Sequence, residues 1–223
     1  DTKVTIPSYA SREGKKYKVV SMRNAFNRSN VISVTLPNTM KTIGAFSFYK
    51  CASLKEIEIP KSVALIDSSA FSNCTSLKEI VIPDNVKTIG QYAFSECSAL
   101  EKIQLSKSLT DINESTFALC TSLKEIVIPD GVKTIGAWAF YNCSRLSDLT
   151  LGSSVTNICN YAFRACSKLT NLTLRSNEMI VLGKYVFYDS NSIKKVVFDS
   201  ELVSSFCAEI GTLKEVHFSD KVK

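Results

Sequence analysis

Hydrophobic residues recur along this chain at a fixed spacing of 23 residues. Isoleucine, phenylalanine, cysteine and leucine each return six times at this step. The four columns are Ile43, Ile66, Ile89, Ile112, Ile135 and Ile158; Phe48, Phe71, Phe94, Phe117, Phe140 and Phe163; Cys51, Cys74, Cys97, Cys120, Cys143 and Cys166; and Leu54, Leu77, Leu100, Leu123, Leu146 and Leu169. A fixed period of roughly 20 to 50 residues is typical of proteins built from stacked repeats. The pattern therefore predicts a solenoid.

Within one repeat, the order of polar and apolar residues predicts a strand, a turn, a second extended leg and a short helical turn. Ile80 and Ile82 alternate with Glu79 and Val81, as in a strand with one buried face. A proline then ends this strand because it has no N–H to donate. The stretch 92–97 is long enough for one or two helical turns, and we expect a 3₁₀ conformation there. A single coil of this kind leaves its apolar face open, so coils must stack to bury it.

The repeated phrase resembles a known family. Ile-Gly-x-x-Ala-Phe-x-x-Cys-x-x-Leu-x-x-Ile-x-Ile-Pro is nearly intact over residues 89–106 and 135–152 and is similar to the BspA-like class of leucine-rich repeat. The resemblance extends over residues 31–198. It implies a right-handed superhelix, mostly β with short helical or 3₁₀ turns, with a parallel sheet on one face. It also implies a secreted or surface-attached protein, since several members are regarded as adhesins for host proteins.

The chain is interpreted as one leucine-rich-repeat domain, because the repeat runs through most of its length. Terminal coils of a solenoid lack one neighbour and depart from the repeat. The predicted parts of the domain (1–223) are an irregular N-terminal repeat with a hairpin insert whose tip is Glu13–Lys15 (1–30), regular repeats (31–198), and a C-terminal cap with a helix between Ser200 and Gly211 (199–223). A last strand at 216–218 brings the predicted strands of the main sheet to ten.

Charge and hydropathy argue against nucleic acid and membrane as partners. Lys and Arg number 27 against 21 Asp and Glu, a net charge of +6, but the basic residues are scattered rather than gathered into a phosphate-binding patch. The sequence contains no apolar stretch of about 18 residues, so this segment is not expected to insert into a membrane. No charged and apolar leader precedes the first strand, so we expect any targeting peptide to have been removed or left out. We also expect a monomer.

The eight cysteines are predicted to be free. Equivalent side chains of stacked coils point the same way, so a disulfide would require one thiol to rotate out of a packed column. No C-x-x-C pair or closely spaced histidine supplies a zinc site. The six regular cysteines are interpreted as small buried hydrophobes that donate weakly to a loop carbonyl. Cys159 and Cys207 fall outside the column and are also interpreted as packing residues.

Catalytic groups are scarce, and no enzyme activity, metal or cofactor is predicted. His217 is the single histidine and lies in the last predicted strand, outside any Gly-x-Ser-x-Gly or Cys/His arrangement. The eight glycines are scattered over turn positions, so no phosphate-binding loop is formed.

Two surfaces are candidates for binding. The first, called the strand face, comprises Glu56, Glu79, Val81, Lys102, Gln104, Glu125, Val127, Asp148 and Thr150. Its acidic members follow one lane with lysines beside it, which either binds a protein or only solubilises the sheet. The second, called the aromatic corner, comprises Tyr92, Trp138, Tyr141 and Tyr161. Its rings either anchor a protein or sugar or pack on one another from coil to coil.

The sequence therefore predicts a non-catalytic protein-interaction module at a cell surface or outside the cell. The surface location and an adhesin-like binding of a host or extracellular macromolecule, a protein or a glycan, are implied by the family resemblance. The alternative is a rigid spacer domain of a larger surface protein, without its own ligand.

Overall fold

A computed structural model of the chain describes residues 2–176, 178–198 and the backbone of 215–218. The described chain contains twenty strands. In chain order they are β1 (Thr2–Thr5), β2 (Tyr9–Arg12), β3 (Lys15–Lys18), β4 (Ser21–Met22), β5 (Val31–Thr35), β6 (Thr42–Ile43), β7 (Glu56–Ile57), β8 (Leu65–Ile66), β9 (Glu79–Val81), β10 (Thr88–Ile89), β11 (Lys102–Gln104), β12 (Asp111–Ile112), β13 (Glu125–Val127), β14 (Thr134–Ile135), β15 (Asp148–Leu151), β16 (Asn157–Ile158), β17 (Asn171–Leu174), β18 (Val181–Leu182), β19 (Lys195–Phe198) and β20 (Glu215–Phe218).

Each coil contributes two extended legs, and equivalent legs of successive coils stack in parallel. The first legs form the ladders β1-β5-β7, β9-β11 and β13-β15-β17-β19-β20. The second legs form β4-β6-β8-β10 and β12-β14-β16-β18. Partners lie one repeat apart, as in Ile80 beside Ile103. The predicted parallel solenoid and its ten first-leg strands are thus confirmed.

A two-strand antiparallel hairpin, β2 with β3, interrupts the first coil. Arg12 pairs with Lys15, which leaves a two-residue loop of Glu13 and Gly14. Both loop residues have positive φ, 53° and 74°, the backbone of the tight turns that match the twist of a hairpin. The hairpin insert predicted in this part of the chain is confirmed.

The core is a set of side-chain columns that run along the solenoid. The Ile, Phe, Cys and Leu of each regular repeat are almost fully buried. Neighbouring phenylalanine rings stack with centroids 5.0 to 5.6 Å apart. The stack comprises Phe26, Phe48, Phe71, Phe94, Phe117, Phe140, Phe163 and Phe187. Because each ring from Phe48 to Phe163 is buried between two others, the columns tie the coils into one continuous core.

The expected 3₁₀ turn after the second leg is wrong: this stretch is a series of turns, and the described residues contain no helix. Tyr92 and Glu96 have positive φ, 59° and 61°, which a 3₁₀ helix does not permit. Alternate amides donate to the next coil, Phe94 N to the Thr116 carbonyl at 2.9 Å and Glu96 N to the Ala118 carbonyl at 2.8 Å. The intervening amides bond locally, as Ser95 N does to the Tyr92 carbonyl at 3.1 Å, so bonds between coils alternate with single turns and no continuous helix forms.

The C-terminal prediction is tested only in part. The backbone of β20 pairs with β19, so the predicted last strand is confirmed. The predicted cap helix between 200 and 211, with Cys207, lies outside the described residues.

Candidate functional site

The cysteines form an internal hydrogen-bonded column. Each regular cysteine thiol donates a hydrogen bond to the backbone carbonyl of the phenylalanine in the preceding coil, as Cys97 Sγ does to the Phe71 oxygen at 3.1 Å. The other five donor–acceptor pairs are Cys51 with Phe26, Cys74 with Phe48, Cys120 with Phe94, Cys143 with Phe117, and Cys166 with Phe140. All seven described cysteines are free, so the prediction of reduced thiols is confirmed for them.

Burial lowers the chemical reactivity of these thiols. Desolvation raises the pKa of Cys51 to about 11 and that of Cys166 to about 12, from an ordinary value of 9.0. The pKa values of Cys74, Cys120 and Cys143 are raised by the same cause. Because the thiolate is the nucleophile and the metal ligand, these groups are unsuited to either role at neutral pH.

Thiol counting tests this column. In the native protein at pH 8, a thiol reagent should leave the six regular cysteines unmodified, since all six are fully buried. In denaturant without reductant, all six should react. Fewer than six reactive thiols in the denatured protein would mean that at least one of these cysteines is bridged.

The strand face is exposed, as predicted. Its two valines, Val81 and Val127, are 57% and 56% exposed. Strand register places Glu79 beside Lys102, and Glu125 beside Asp148. Every predicted residue of the face is exposed except Thr150, which is half-buried. The strands thus align apolar and charged side chains in two lanes along the sheet.

The carboxylates of the strand face are largely unpaired. Lys124 donates to Glu101 of the preceding coil at 2.5 Å, and this contact lowers the pKa of Glu101. Asp148 accepts from Asn171 at 2.7 Å. Within the described part of the chain, Glu79 and Glu125 have no ion pair. The lysine beside Glu125 thus pairs with a residue outside the lane, and the lane keeps a net negative charge with Lys102 among its carboxylates.

The aromatic corner divides into two parts. Trp138 and Tyr161 stack with centroids 4.2 Å apart, and Trp138 meets Tyr141 edge to face at 5.1 Å. Tyr161 also stacks on Tyr185 at 5.5 Å. Tyr92 is not part of this cluster, and its hydroxyl donates to the Glu114 carboxylate at 3.1 Å. The structure therefore brings together three of the four predicted residues, and their rings pack from coil to coil.

Arg164 lies among these rings and was missed by the sequence reasoning. Its guanidinium carbon is 5.2 Å from the Tyr188 centroid, 5.7 Å from Tyr161, and 6.0 Å from Trp138 and Tyr141. The signal was available, since this position is serine, alanine or tyrosine in the other regular coils. Recognising the importance of Arg164 requires knowing that the positions that carry aromatic rings in three coils lie close together.

No metal site or membrane span is found where the structure is described. Over residues 2–176 and 178–198, no three His, Cys, Asp or Glu side chains are grouped so as to hold a metal ion. The same residues contain no helix of the length and apolarity needed to cross a bilayer. The side chain of His217 lies outside the described residues.

The stacked coils with their Ile, Phe, Cys and Leu columns define a leucine-rich-repeat solenoid. The model of the BspA type leucine-rich repeat region, in six copies, matches residues 22–132 and 110–223. The chain therefore belongs to the BspA-type leucine-rich-repeat family. Among curated proteins, none matches it significantly.

Solved structures share the fold. A leucine-rich repeat protein from Bacteroides ovatus is 26% identical, with 99% of this chain and 70% of that one covered and a TM-score of 0.68. The T. pallidum leucine-rich repeat protein TpLRR is 30% identical over 86% of this chain and 77% of its own, with a TM-score of 0.60. A leucine-rich cell surface protein from Faecalibacterium prausnitzii is 20% identical over 98% of this chain and 88% of its own, with a TM-score of 0.56.

Proposed function

We propose that this chain is a non-catalytic interaction module that binds an extracellular protein through the strand face. The observation that carries the proposal is the exposed acidic lane, in which Glu79 and Glu125 have no ion pair among the described residues, beside the exposed Val81 and Val127. Exposed apolar groups next to unpaired charges are suited to a partner that covers the first and neutralises the second. The expected partner surface is basic, with apolar groups at its centre.

The dimensions of the strand face fit a protein partner. Ten stacked strands at about 4.8 Å span roughly 45 Å. A standard interface buries about 800 Å² on each partner, which a face of this length can supply. The strands are held by parallel backbone pairing, so the surface is ordered before it binds and little conformational entropy is lost on association.

An extracellular or cell-surface location is part of this proposal. It is supported by membership of the BspA-type family and by the description of one protein with this fold as a cell surface protein. An adhesin-like role follows if the partner belongs to a host. A rigid spacer role is the alternative, favoured by the unbroken stacking of the core columns.

Charge reversal of the acidic lane tests the proposal. Glu79→Lys, Glu125→Lys and Asp148→Lys together should weaken capture of a purified basic extracellular-matrix protein by more than tenfold, measured by biolayer interferometry. The reason is that a matched basic surface would then meet like charge. Circular dichroism should be unchanged, because all three side chains are exposed.

A control triple variant, Glu13→Lys, Glu96→Lys and Glu178→Lys, makes the same charge change at exposed positions away from the strand face. It should bind within about twofold of the original protein. If the lane variant binds normally while Trp138→Ala with Tyr141→Ala abolishes capture, the aromatic corner is the working surface. If a panel of such proteins shows no capture at all, the spacer role is supported instead.

A further inference from the structure

The repeat is interrupted at one place on the outside of the solenoid. The left-handed corner position of successive coils reads Phe46, Ser69, Tyr92, Ser115 and Trp138, so rings occur on alternate coils. After Trp138, the next two coils carry Tyr161 and Tyr185 at this position, and three rings therefore stand on consecutive coils. Residues that only hold the coils together recur in every coil, whereas a binding site is a local departure from the repeat.

The second column breaks in the same three coils. Three residues after each ring stand Tyr141, Arg164 and Tyr188, where the coils at 72, 95 and 118 have serine, serine and alanine and the coil at 49 has tyrosine. Six large side chains thus stand in one patch on three consecutive coils, whereas Phe46 and Tyr49 are followed by serine at both positions of the next coil. The ring faces of this patch are directed at one another, as the stack from Trp138 through Tyr161 shows.

Arg164 is only partly satisfied in this patch. Its Nε is buried without a hydrogen-bond partner, and its Nη2 lies 3.7 Å from the Asp189 carboxylate, whose side chain is half exposed. A separation of 3.7 Å is long for a charge-assisted hydrogen bond, which is usually about 2.7 to 2.9 Å. The buried Nε is out of reach of solvent, but the side chain is 33% exposed, so the Nη nitrogens retain donors for an anion that approaches from solvent.

Arg164 forms part of the wall of an open cleft of about 340 Å³. The cleft is lined by Tyr161, Arg164, Tyr185 and Tyr188 and is called the arginine cleft below. Tyr185 and Tyr188 are about half exposed. The volume is at the lower end of the range of roughly 300 to 1,000 Å³ that small ligands occupy.

We propose that the arginine cleft binds a saccharide that carries a carboxylate, of the uronic acid or sialic acid class. The planar guanidinium matches a carboxylate in a two-point contact, and phenol hydroxyls donate to and accept from sugar hydroxyls. A neutral sugar usually stacks on an open ring face, but Tyr161 is already stacked on both Trp138 and Tyr185. We therefore expect the charge of Arg164 to favour an acidic sugar over a neutral one. This site is separate from the strand face and does not rest on the proposed function.

Asp189 gives the proposal its sharpest test. Its carboxylate lies 3.7 Å from Nη2 of Arg164, so it would repel a saccharide carboxylate bound at the same guanidinium. Asp189→Asn should therefore raise the affinity for an acidic saccharide by at least threefold. Arg164→Gln should lower it by at least tenfold. Arg175→Gln, the same charge change at an exposed arginine elsewhere, should leave it within twofold.

The experiment is a titration of the full chain by isothermal calorimetry and two-dimensional NMR. The probes are trigalacturonate and sialyllactose, with galactotriose and lactose as their neutral counterparts, and backbone shifts should centre on residues 161–164 and 185–189. The neutral probes should bind at least tenfold more weakly. Arg164→Lys keeps the charge and most of the packing but loses the two-point contact, and it should also lose at least fivefold in affinity.

Several outcomes would overturn the proposal. Equal affinity for acidic and neutral probes would show that the guanidinium does not recognise the carboxylate. An unchanged affinity in folded Arg164→Gln would show the same. Acetate or inorganic phosphate that binds as tightly as trigalacturonate makes the cleft a simple anion site. A glutamate-rich peptide that binds there more tightly than either saccharide makes the partner an acidic protein.

The charge-reversal triple variant tests whether the two sites are independent. It should lose strand-face capture and retain saccharide binding, which would support the proposal of a separate site.

Discussion

Replacing Phe94 with alanine should lower the free energy of unfolding by about 3 to 5 kcal/mol, the usual cost of truncating a large buried ring. Phe94 is fully buried and stacks on Phe71 at 5.2 Å and on Phe117 at 5.6 Å. The truncation removes both ring contacts and leaves a cavity between coils that are held in place by backbone bonds, so the cavity collapses poorly. Urea denaturation followed by circular dichroism measures the loss.

Glu79→Ala is the matched control, on the outward face of the adjoining strand. Its side chain is exposed and has no ion pair among the described residues, so its removal should cost less than about 0.5 kcal/mol. Similar losses for Phe94→Ala and Glu79→Ala would show that the inside and outside of the coil have been assigned wrongly.

Alkaline pH should destabilise the protein through its buried thiols. Burial raises the pKa of Cys166 to about 12 in the folded protein, against an ordinary value of 9.0. Below pH 9 the thiol is protonated in both states, and its contribution to stability is fully present. Above pH 9 the unfolded thiol loses its proton while the folded one keeps it, so stability falls until the pH passes the folded pKa. The loss from Cys166 alone is about 3 to 5 kcal/mol when complete.

Comparing the original protein with Cys166→Ala isolates this effect, because lysine and tyrosine ionisation is common to both. Urea denaturation at intervals from pH 7 to 11 should show a slope above pH 9 that is about 1.4 kcal/mol per pH unit shallower in Cys166→Ala. The alanine variant is less stable at pH 7, and the gap should narrow as the pH rises. Parallel stability curves from pH 9 to 11 would contradict the raised pKa.

Much of the fold follows from the sequence because the repeat is regular. Ile80 and Ile82 are buried while Glu79 and Val81 between and beside them are exposed, as period-2 alternation predicts. The same register is repeated in each coil, so one correct assignment places the strand face along the whole sheet. The sequence predicted that the cysteine thiols donate to a loop carbonyl. It did not identify the acceptor, which is the carbonyl of the phenylalanine in the preceding coil.

The turn conformation and the candidate sites depended on contacts between coils. Tyr92 adopts a positive φ that its residue type disfavours by roughly 1 to 2 kcal/mol, and a hydrogen bond from its N–H to the Glu114 carbonyl helps to hold it there. Lys124 forms its ion pair with Glu101 rather than with a carboxylate of the strand face. Glu101 and the strand-face Asp148 lie at similar distances from Lys124 along the sequence, so the sequence alone does not show which of them the lysine contacts.

The sequence by itself determined the period, the two extended legs, the buried columns and the free thiols, since these depend on local alternation and on copies stacking in step. Only the tertiary structure decided that Tyr161 and Arg164 converge with Tyr185 and Tyr188 of the next coil around one cleft, with Trp138 stacked behind Tyr161. The physical reason is that a column fixes which residues are neighbours along the solenoid, whereas ring orientation and guanidinium placement depend on the packing of three coils at once.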